Sequence, residues 1–382
     1  MFPVCPDQDS ENDMVITLFV VVIILLSTAY FYLKSPVIGS CALLISSMVS
    51  AIVSFSYYEL FANMLINIGR VDQWAHPLCF ALLFILTFML LRIACGYLVG
   101  SNINFGLLIT RLAAVICGVL TGVIVSGILV ITIAMMPLSS KWPYARFGDR
   151  PPTAAKISNA NKSFLNTDGI ASGLFSWVSK GSLSSKKSFA VYHADFLNQI
   201  HLNRLTPEKR NVIPEINRPP SGKSKSRRPI IVASSEAINV SKTGLTRRED
   251  GRTIVTVDVS GKGIADGGAA GKNGEVSFTL SQVSLVCKEK SQSSNTMGSG
   301  TVIYPAKYIS KQQSNTDEAS LGELITLDRS DFMGAGRSAQ VKIAFDVPNT
   351  MRPVLVRFKQ NAIAGLPAKS TAETAETAEV AN

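Results

Sequence analysis

Three features of the chain carry residue types that do chemistry: a glycine-rich stretch with lysines, three histidines and six cysteines. The stretch Gly261-Lys-Gly-Ile-Ala-Asp-Gly-Gly-Ala-Ala-Gly-Lys-Asn-Gly274 has the ingredients of a phosphate cradle, in which backbone amides and a lysine surround an anion. Its spacing fails that chemistry. Asp266 stands five residues before Gly271 where a glycine is needed, and Asn273 follows Lys272 where Ser or Thr would hold magnesium; the dinucleotide spacing breaks at Asp266 as well. A loop between strands is the expectation. His76 opens an apolar run and marks an interface, while His193 and His201, with Asp195 between them, read as a partly exposed polar face. Cys5, Cys41, Cys79, Cys95, Cys117 and Cys287 include no CxxC and no cysteine-histidine spacing of the metal kind. Four of them lie in or beside apolar runs, where Cys acts as a small hydrophobe. No catalytic, cofactor-binding or metal residue is nominated.

The elements that would position such residues divide the chain in two. Of its 382 residues 47% are hydrophobic and only 17% charged, which leans toward a membrane class. Between residues 14 and 136 the charged residues are Lys34, Glu59, Arg70, Asp72, Arg92 and Arg111, so the net charge of +10 belongs mostly to the remainder. Behind an acidic lead (1–13) four apolar runs are expected to span a bilayer as helices: 14–33, 37–58, 77–99 and 112–136, the last stopped by Pro137. The lead lacks the basic character of a secretory signal, so the first run is read as retained. Ser46, Ser50 and Ser54 place small side chains on one face of the second run, where another helix can approach closely. Arg92 and Arg111 sit near run ends, where long side chains reach the interface, and Trp74, Trp142 and Trp177 are interfacial aromatics. Carboxylates are missing from the span centres, which counts against proton-coupled transport.

Even spanning puts both termini on one side. Lys34, Arg92 and Arg111 on the opposite turns favour termini outside, although Lys141, Arg146, Arg150 and Lys156 follow span four closely. The β-rich tail tips the expectation toward an extracytoplasmic C-terminal domain.

The stretch Thr110-Arg-Leu-Ala-Ala-Val-Ile-Cys-Gly118-Val-Leu-Thr-Gly122 resembles the fourth span of the bacterial colicin V production protein family, whose members read approximately Asn-Arg-Leu-Leu-Gly-x-x-x-Gly-x-x-Arg-Gly. Arg111, Gly118 and Gly122 match; Ala114 replaces the first glycine and Thr121 the arginine. Asp13 and Arg92 also fit, whereas the glycine- and arginine-rich turn usual after span one is here Tyr30-Phe-Tyr-Leu-Lys-Ser-Pro-Val. The resemblance covers about residues 12–145. It implies a multi-pass protein of the bacterial inner (cytoplasmic) membrane that supports toxin or peptide production or export and envelope homeostasis, without catalysis. Physically, Gly118, Gly122 and Ser126 form a smooth stripe for helix packing, within the bundle or across a homo-oligomer, or for lining a groove.

Downstream, residues 137–210 read as a juxtamembrane amphipathic region. There Asp168 caps a helix with Ile170, Leu174 and Val178 on one face, widened by Phe175 and Trp177; it either lies in the interface, with Lys180, Lys186 and Lys187 meeting lipid head groups, or packs on the rest of the chain. Residues 211–229 form a basic disordered linker and 368–382 a disordered tail. Between them, residues 230–367 alternate β-formers in seven runs, which predicts an all-β, immunoglobulin-like sandwich, with Val341–Pro348 and Val354–Phe358 as its closing hairpin. The expected partners are the lipid bilayer, a second copy of the chain and an envelope protein met by the β domain. Nucleic acid is disfavoured, because no aromatic interleaving accompanies the basic run. Two other functions fit the same layout: a small channel or transporter oligomer, and a tethered binding module acting through its β domain.

Overall fold

A computed structural model describes residues 8–34, 36–68, 72–98, 106–148, 152–180, 188–205, 231–233, 236–240, 244–247, 251–260, 276–292, 296–309, 320–327, 329–332 and 338–366. The basic linker, the glycine-rich stretch 261–274, Lys186, Lys187 and the tail 368–382 lie outside the described residues. Four long helices come first: α1 (Gln8–Lys34), α2 (Val37–Ile68), α3 (Ala75–Leu98) and α4 (Leu107–Met135). Each contains a stretch long and apolar enough to cross a membrane, which is compatible with a multi-pass membrane protein. Helix α2 runs on past Tyr58 to Ile68, because no proline or glycine interrupts residues 59–68. This extension puts Glu59 inside a continuous helix.

Small residues set a close contact between α1 and α4. A Cβ built on Gly118 would lie 2.8 Å from the Thr28 Cα, and one on Gly122 would lie 2.8 Å from the Ile24 Cα, so α1 and α4 meet backbone to backbone in antiparallel sense. Ser27 Oγ donates to the Gly118 carbonyl at 2.9 Å across this seam. On α2, Ser46, Ser50 and Ser54 are buried and donate back to the carbonyls of Ala42, Ser46 and Ser50. Their hydroxyls are thereby satisfied within the helix and the faces stay compact.

After α4 the chain forms α5 (Thr167–Lys180) and two short helices, α6 (Phe189–Tyr192) and α7 (Phe196–Leu202). These pack on the bundle. Phe55 of α2 stacks on Phe175 at 5.0 Å between ring centroids and meets Phe80, Phe189 and Phe196 edge-on. Such offset and edge contacts are the favoured aromatic geometries, and they join α2, α3, α5, α6 and α7 through one ring.

The C-terminal region is antiparallel β-sheet. Its strands are β1 (Ile238–Asn239), β2 (Leu245–Arg247), β3 (Thr253–Ser260), β4 (Val276–Thr279), β5 (Val283–Glu289), β6 (Thr301–Ile303), β7 (Lys307–Ile309), β8 (Leu324–Leu327), β9 (Ser338–Phe345), β10 (Met351–Phe358) and β11 (Ala362–Gly365). One sheet has the order β1-β3-β9-β7 with β2 also on β3, a second has β11-β10-β5-β6, and β4 pairs with β8. The closing hairpin expected from the sequence does not form. Strand β9 pairs with β3 and β7, whereas β10 pairs with β5 and β11, so the turn at Pro348 carries the chain between sheets. Period-two alternation marks each strand but is blind to its neighbour. Val255, Val257, Val341 and Ile343 from the first sheet, Leu285, Val356 and Phe358 from the second, and Phe278 and Ile325 from the third share one core, which also takes in Ile157 and Leu202 from the connecting segment.

Candidate functional site

On the side of the bundle away from the β region, the two arginines hold the end of α1. Arg92 donates to the Tyr30 hydroxyl at 2.8 Å, and Arg111 donates to the Tyr32 carbonyl with its guanidinium 4.5 Å from the Tyr32 ring centre. A cation over an aromatic face gains from the ring quadrupole while its stem stays in apolar surroundings. Trp74 is half-buried between α2 and α3, Trp142 is half-exposed, and Trp177 stands out at 73% exposure. Ser126 is buried on α4, its hydroxyl bonded to the Val123 carbonyl. None of these residues converges on a pocket with the others.

The convergence of polar groups lies at the opposite end, where α2 meets α6, α7 and the β10–β11 turn. His193 Nε2 sits 2.6 Å from Glu59 Oε1, and its Nδ1 is 3.3 Å from Gln199 Oε1. Arg357 of β10 donates to the same Gln199 oxygen at 2.6 Å, and to the Tyr192 carbonyl. A carboxylate on a long apolar helix, an imidazole, an amide and a guanidinium therefore form one chain of contacts from α2 to the β region. His193 and Arg357 are buried. Burial pulls His193 below the ordinary histidine value, Glu59 pulls it back up, and Arg357 adds to the lowering. The expectation of a partly exposed polar face at His193 and His201 is corrected: both are buried under α2, α4 and the β region.

Three further links flank this chain. Asn361 Nδ2 donates to Asn63 Oδ1 at 3.1 Å, joining the β10–β11 turn to α2. Gln73 Oε1, ahead of α3, accepts from the Ile231 amide at 2.8 Å and the Val232 amide at 3.3 Å. Gln282 Nε2 donates to the Asn203 carbonyl at the end of α7. Each group is buried or half-buried, where a lost hydrogen-bond partner costs about 1–3 kcal/mol. In the same turn Lys359 is buried with Nζ 5.2 Å from the Phe358 ring centre, and burial lowers its ammonium to about 7. Its backbone φ is 55°, a left-handed turn that lets Gln360 and Asn361 face the helices.

A second cluster fixes α5. Tyr144 donates to Asp168 Oδ2 at 2.6 Å, Ser163 donates to Asp168 Oδ1, and Arg146 donates to the Tyr144 hydroxyl at 2.8 Å and to Asn198 at 2.5 Å. Asp168 therefore lies in the first turn and accepts from side chains and the Gly169 amide, rather than capping from outside. Its negative charge still complements the helix dipole.

His201 supplies a pH test of this region. Its Nδ1 lies 3.0 Å from the Leu197 carbonyl, and it is faced by Arg204, Arg146 and the Tyr144 ring. Burial first, then the two arginines, holds it well below 6.5. The folded chain thus refuses a proton that the unfolded chain accepts, so this contribution is complete above about pH 6.5 and is lost as the pH falls below it. Thermal unfolding in detergent should move to lower temperature between pH 7 and pH 5, and His201→Phe should flatten that slope. An unchanged slope in the variant would refute the assignment.

Sequence reasoning missed the Glu59–His193 contact and found no use for Arg357, Asn361 or Gln73. The legible signal was Glu59 itself, a carboxylate at the end of an apolar run, which needs a partner if it is not in water. No group of three or more His, Cys, Asp or Glu among the described residues could hold a metal ion. Comparison with protein-family models, with curated proteins and with solved structures returns no match.

Proposed function

We propose that this chain is a multi-pass membrane protein in which the helical bundle and the β region work as one docked unit, and that its role is non-catalytic: assembly or export in a bacterial inner membrane and maintenance of the envelope. The carrying observation is the polar chain from half-buried Glu59 through buried His193 and Gln199 to buried Arg357, with Asn63–Asn361 beside it, which ties the β10–β11 turn to the end of α2. Polar groups arranged this way are expensive to separate, which sets this reading apart from a module hanging on a passive anchor. The envelope role rests on the resemblance to the colicin V production family; Gly118 and Gly122, two of the residues that match it, also let α1 and α4 touch. On this reading the β region is an immunoglobulin-like sandwich variant on the extracytoplasmic face, and it meets an envelope protein there.

The alternative of a channel or transporter oligomer draws on the exposed apolar residues of α4, such as Leu112, Ile116 and Leu120, which a second copy could cover. Deleting residues 230–382 distinguishes the docked unit from the passive anchor. If the two regions are one unit, the remaining bundle loses its contacts at Asn63, Gln73 and Gln199 and melts at a lower temperature in detergent. Unchanged bundle melting supports the passive anchor and counts against the proposal.

A further inference from the structure

Helix α5 joins the bundle far below the end of α4. A Cβ on Gly127 would collide with the Thr167 carbonyl and lie 3.0 Å from the Ala171 Cβ, so the start of α5 rests on the α4 backbone. Gly127 precedes Met135, the last residue of α4, by eight positions, or about 12 Å along the axis at 1.5 Å per residue. The turn Phe164–Asn166 that leads into α5 also lies against α1. On α1 the neighbouring level is that of Val20 and Ile24, where Tyr144 and Val130 close a small apolar cluster. This is within the apolar stretch that α1 opens at Met14.

The inner face of α5 is accounted for: Ala171, Ser172, Phe175 and Ser179 are buried on α4, α2 and α6. The outer face is not. Leu165 is 56% exposed, Ile170 47% and Trp177 73%, with Phe164 beside them. Leu18, Val22 and Leu25 of α1 are also exposed, and the spanning helices would present them to lipid. Apart from the Thr167 hydroxyl, which is buried without a partner, the polar side chains where α5 meets α4 bond inward. Asp168 takes bonds from Tyr144, Ser163 and the Gly169 amide, and the Asn166 amide donates to the Ser163 carbonyl. Irregular backbone is tolerated at membrane depth only when it is satisfied against protein in this way.

Resting on the membrane reading above, we infer that residues 163–180 are a re-entrant element. It dips into the bilayer from the side of the β region, and its face of Phe164, Leu165, Ile170 and Trp177 is covered by lipid acyl chains. The helix then rises obliquely along the bundle, and Lys180 at its exposed end returns to the head groups.

The test uses the full chain in phosphatidylcholine vesicles, with acyl chains brominated either near the glycerol or near the chain middle. Trp74→Phe and Trp142→Phe leave Trp177 as the sole emitter. A second variant adds Trp177→Phe and Ile170→Trp, and a control places the single tryptophan at Leu25 of α1. Trp177 should be quenched more by the shallow bromines, and the Ile170→Trp emitter by the deeper ones to the same extent as the Leu25→Trp control. Neither should respond to iodide in the water. Iodide quenching of Ile170→Trp places that face in water and overturns the inference. Quenching by neither agent, with the Leu25→Trp control still quenched by lipid, shows a protein partner on the face and also overturns it. If the Leu25→Trp control itself escapes lipid quenching, the membrane reading fails and the re-entrant inference fails with it.

Discussion

Replacing Gly118 and Gly122 together by Leu is expected to abolish assembly of the bundle while leaving its insertion into the membrane intact. The two added Cβ atoms alone would stand 2.8 Å from the Cα atoms of Thr28 and Ile24, closer than carbon atoms approach, and the obstacle is main chain that cannot rotate away. Overpacking a core position costs about 1–3 kcal/mol where side chains can adjust, so two positions facing backbone should exceed that. Leu raises hydropathy, so the helix still enters the bilayer. Melting in detergent should fall sharply and the α1–α4 contact should be lost. Leu at Val119 and Val123, roughly 100° around the helix from the glycines, should change little, since Val119 is exposed and Val123 half-exposed. Equal melting of the glycine variant and the wild-type chain would show that the close approach is dispensable.

Arg357→Met is the second large effect. The guanidinium is buried and serves the Gln199 side chain, the Tyr192 carbonyl and, at 3.4 Å, the Gln360 carbonyl, and its charge faces Glu59. Losing a buried charged hydrogen-bond donor costs about 1.5–3 kcal/mol, because the Gln199 amide remains buried without it. Gln199→Leu alone should cost less. The double variant should fall short of the sum, with a coupling of about 0.5–3 kcal/mol for groups in direct contact. Additive losses in denaturant melts would mean that the contact at 2.6 Å carries no energy.

What the sequence disclosed follows from the range of the signal. Apolar length is local, so the four spans are legible from Met14 onward, and the i, i+4 glycines of span four reveal a face made for close packing. The alternation in Thr253–Ser260 and Ser338–Phe345 is equally local and marks both strands. The partner of each strand depends on the whole fold, which is why Val341–Pro348 and Val354–Phe358 suggested a hairpin although β9 and β10 belong to different sheets. The polar junction was illegible for the same reason. Glu59 and His193 are separated by most of the bundle in sequence, and Asn63 by far more from Asn361. Gly127 was passed over beside the Gly118–Gly122–Ser126 stripe because it faces α5 rather than α1. Ile157 and Leu202 entered the β core from a segment that reads as a connector.

The docked unit itself can be tested by cross-linking Asn63→Cys with Asn361→Cys in native membranes. The native cysteines are replaced by Ala, and a protease site is inserted after Arg210. The two amides are 3.1 Å apart, so a short thiol cross-linker should bridge the pair. After cleavage the helical and β fragments are then expected to migrate together, and to separate when the linker is reduced. The exposed Thr246 on β2, paired as Thr246→Cys with Asn63→Cys, should give no such product. Fragments that separate regardless of the cross-linker, or that join equally well through Thr246→Cys, would contradict a β region fixed on the end of α2.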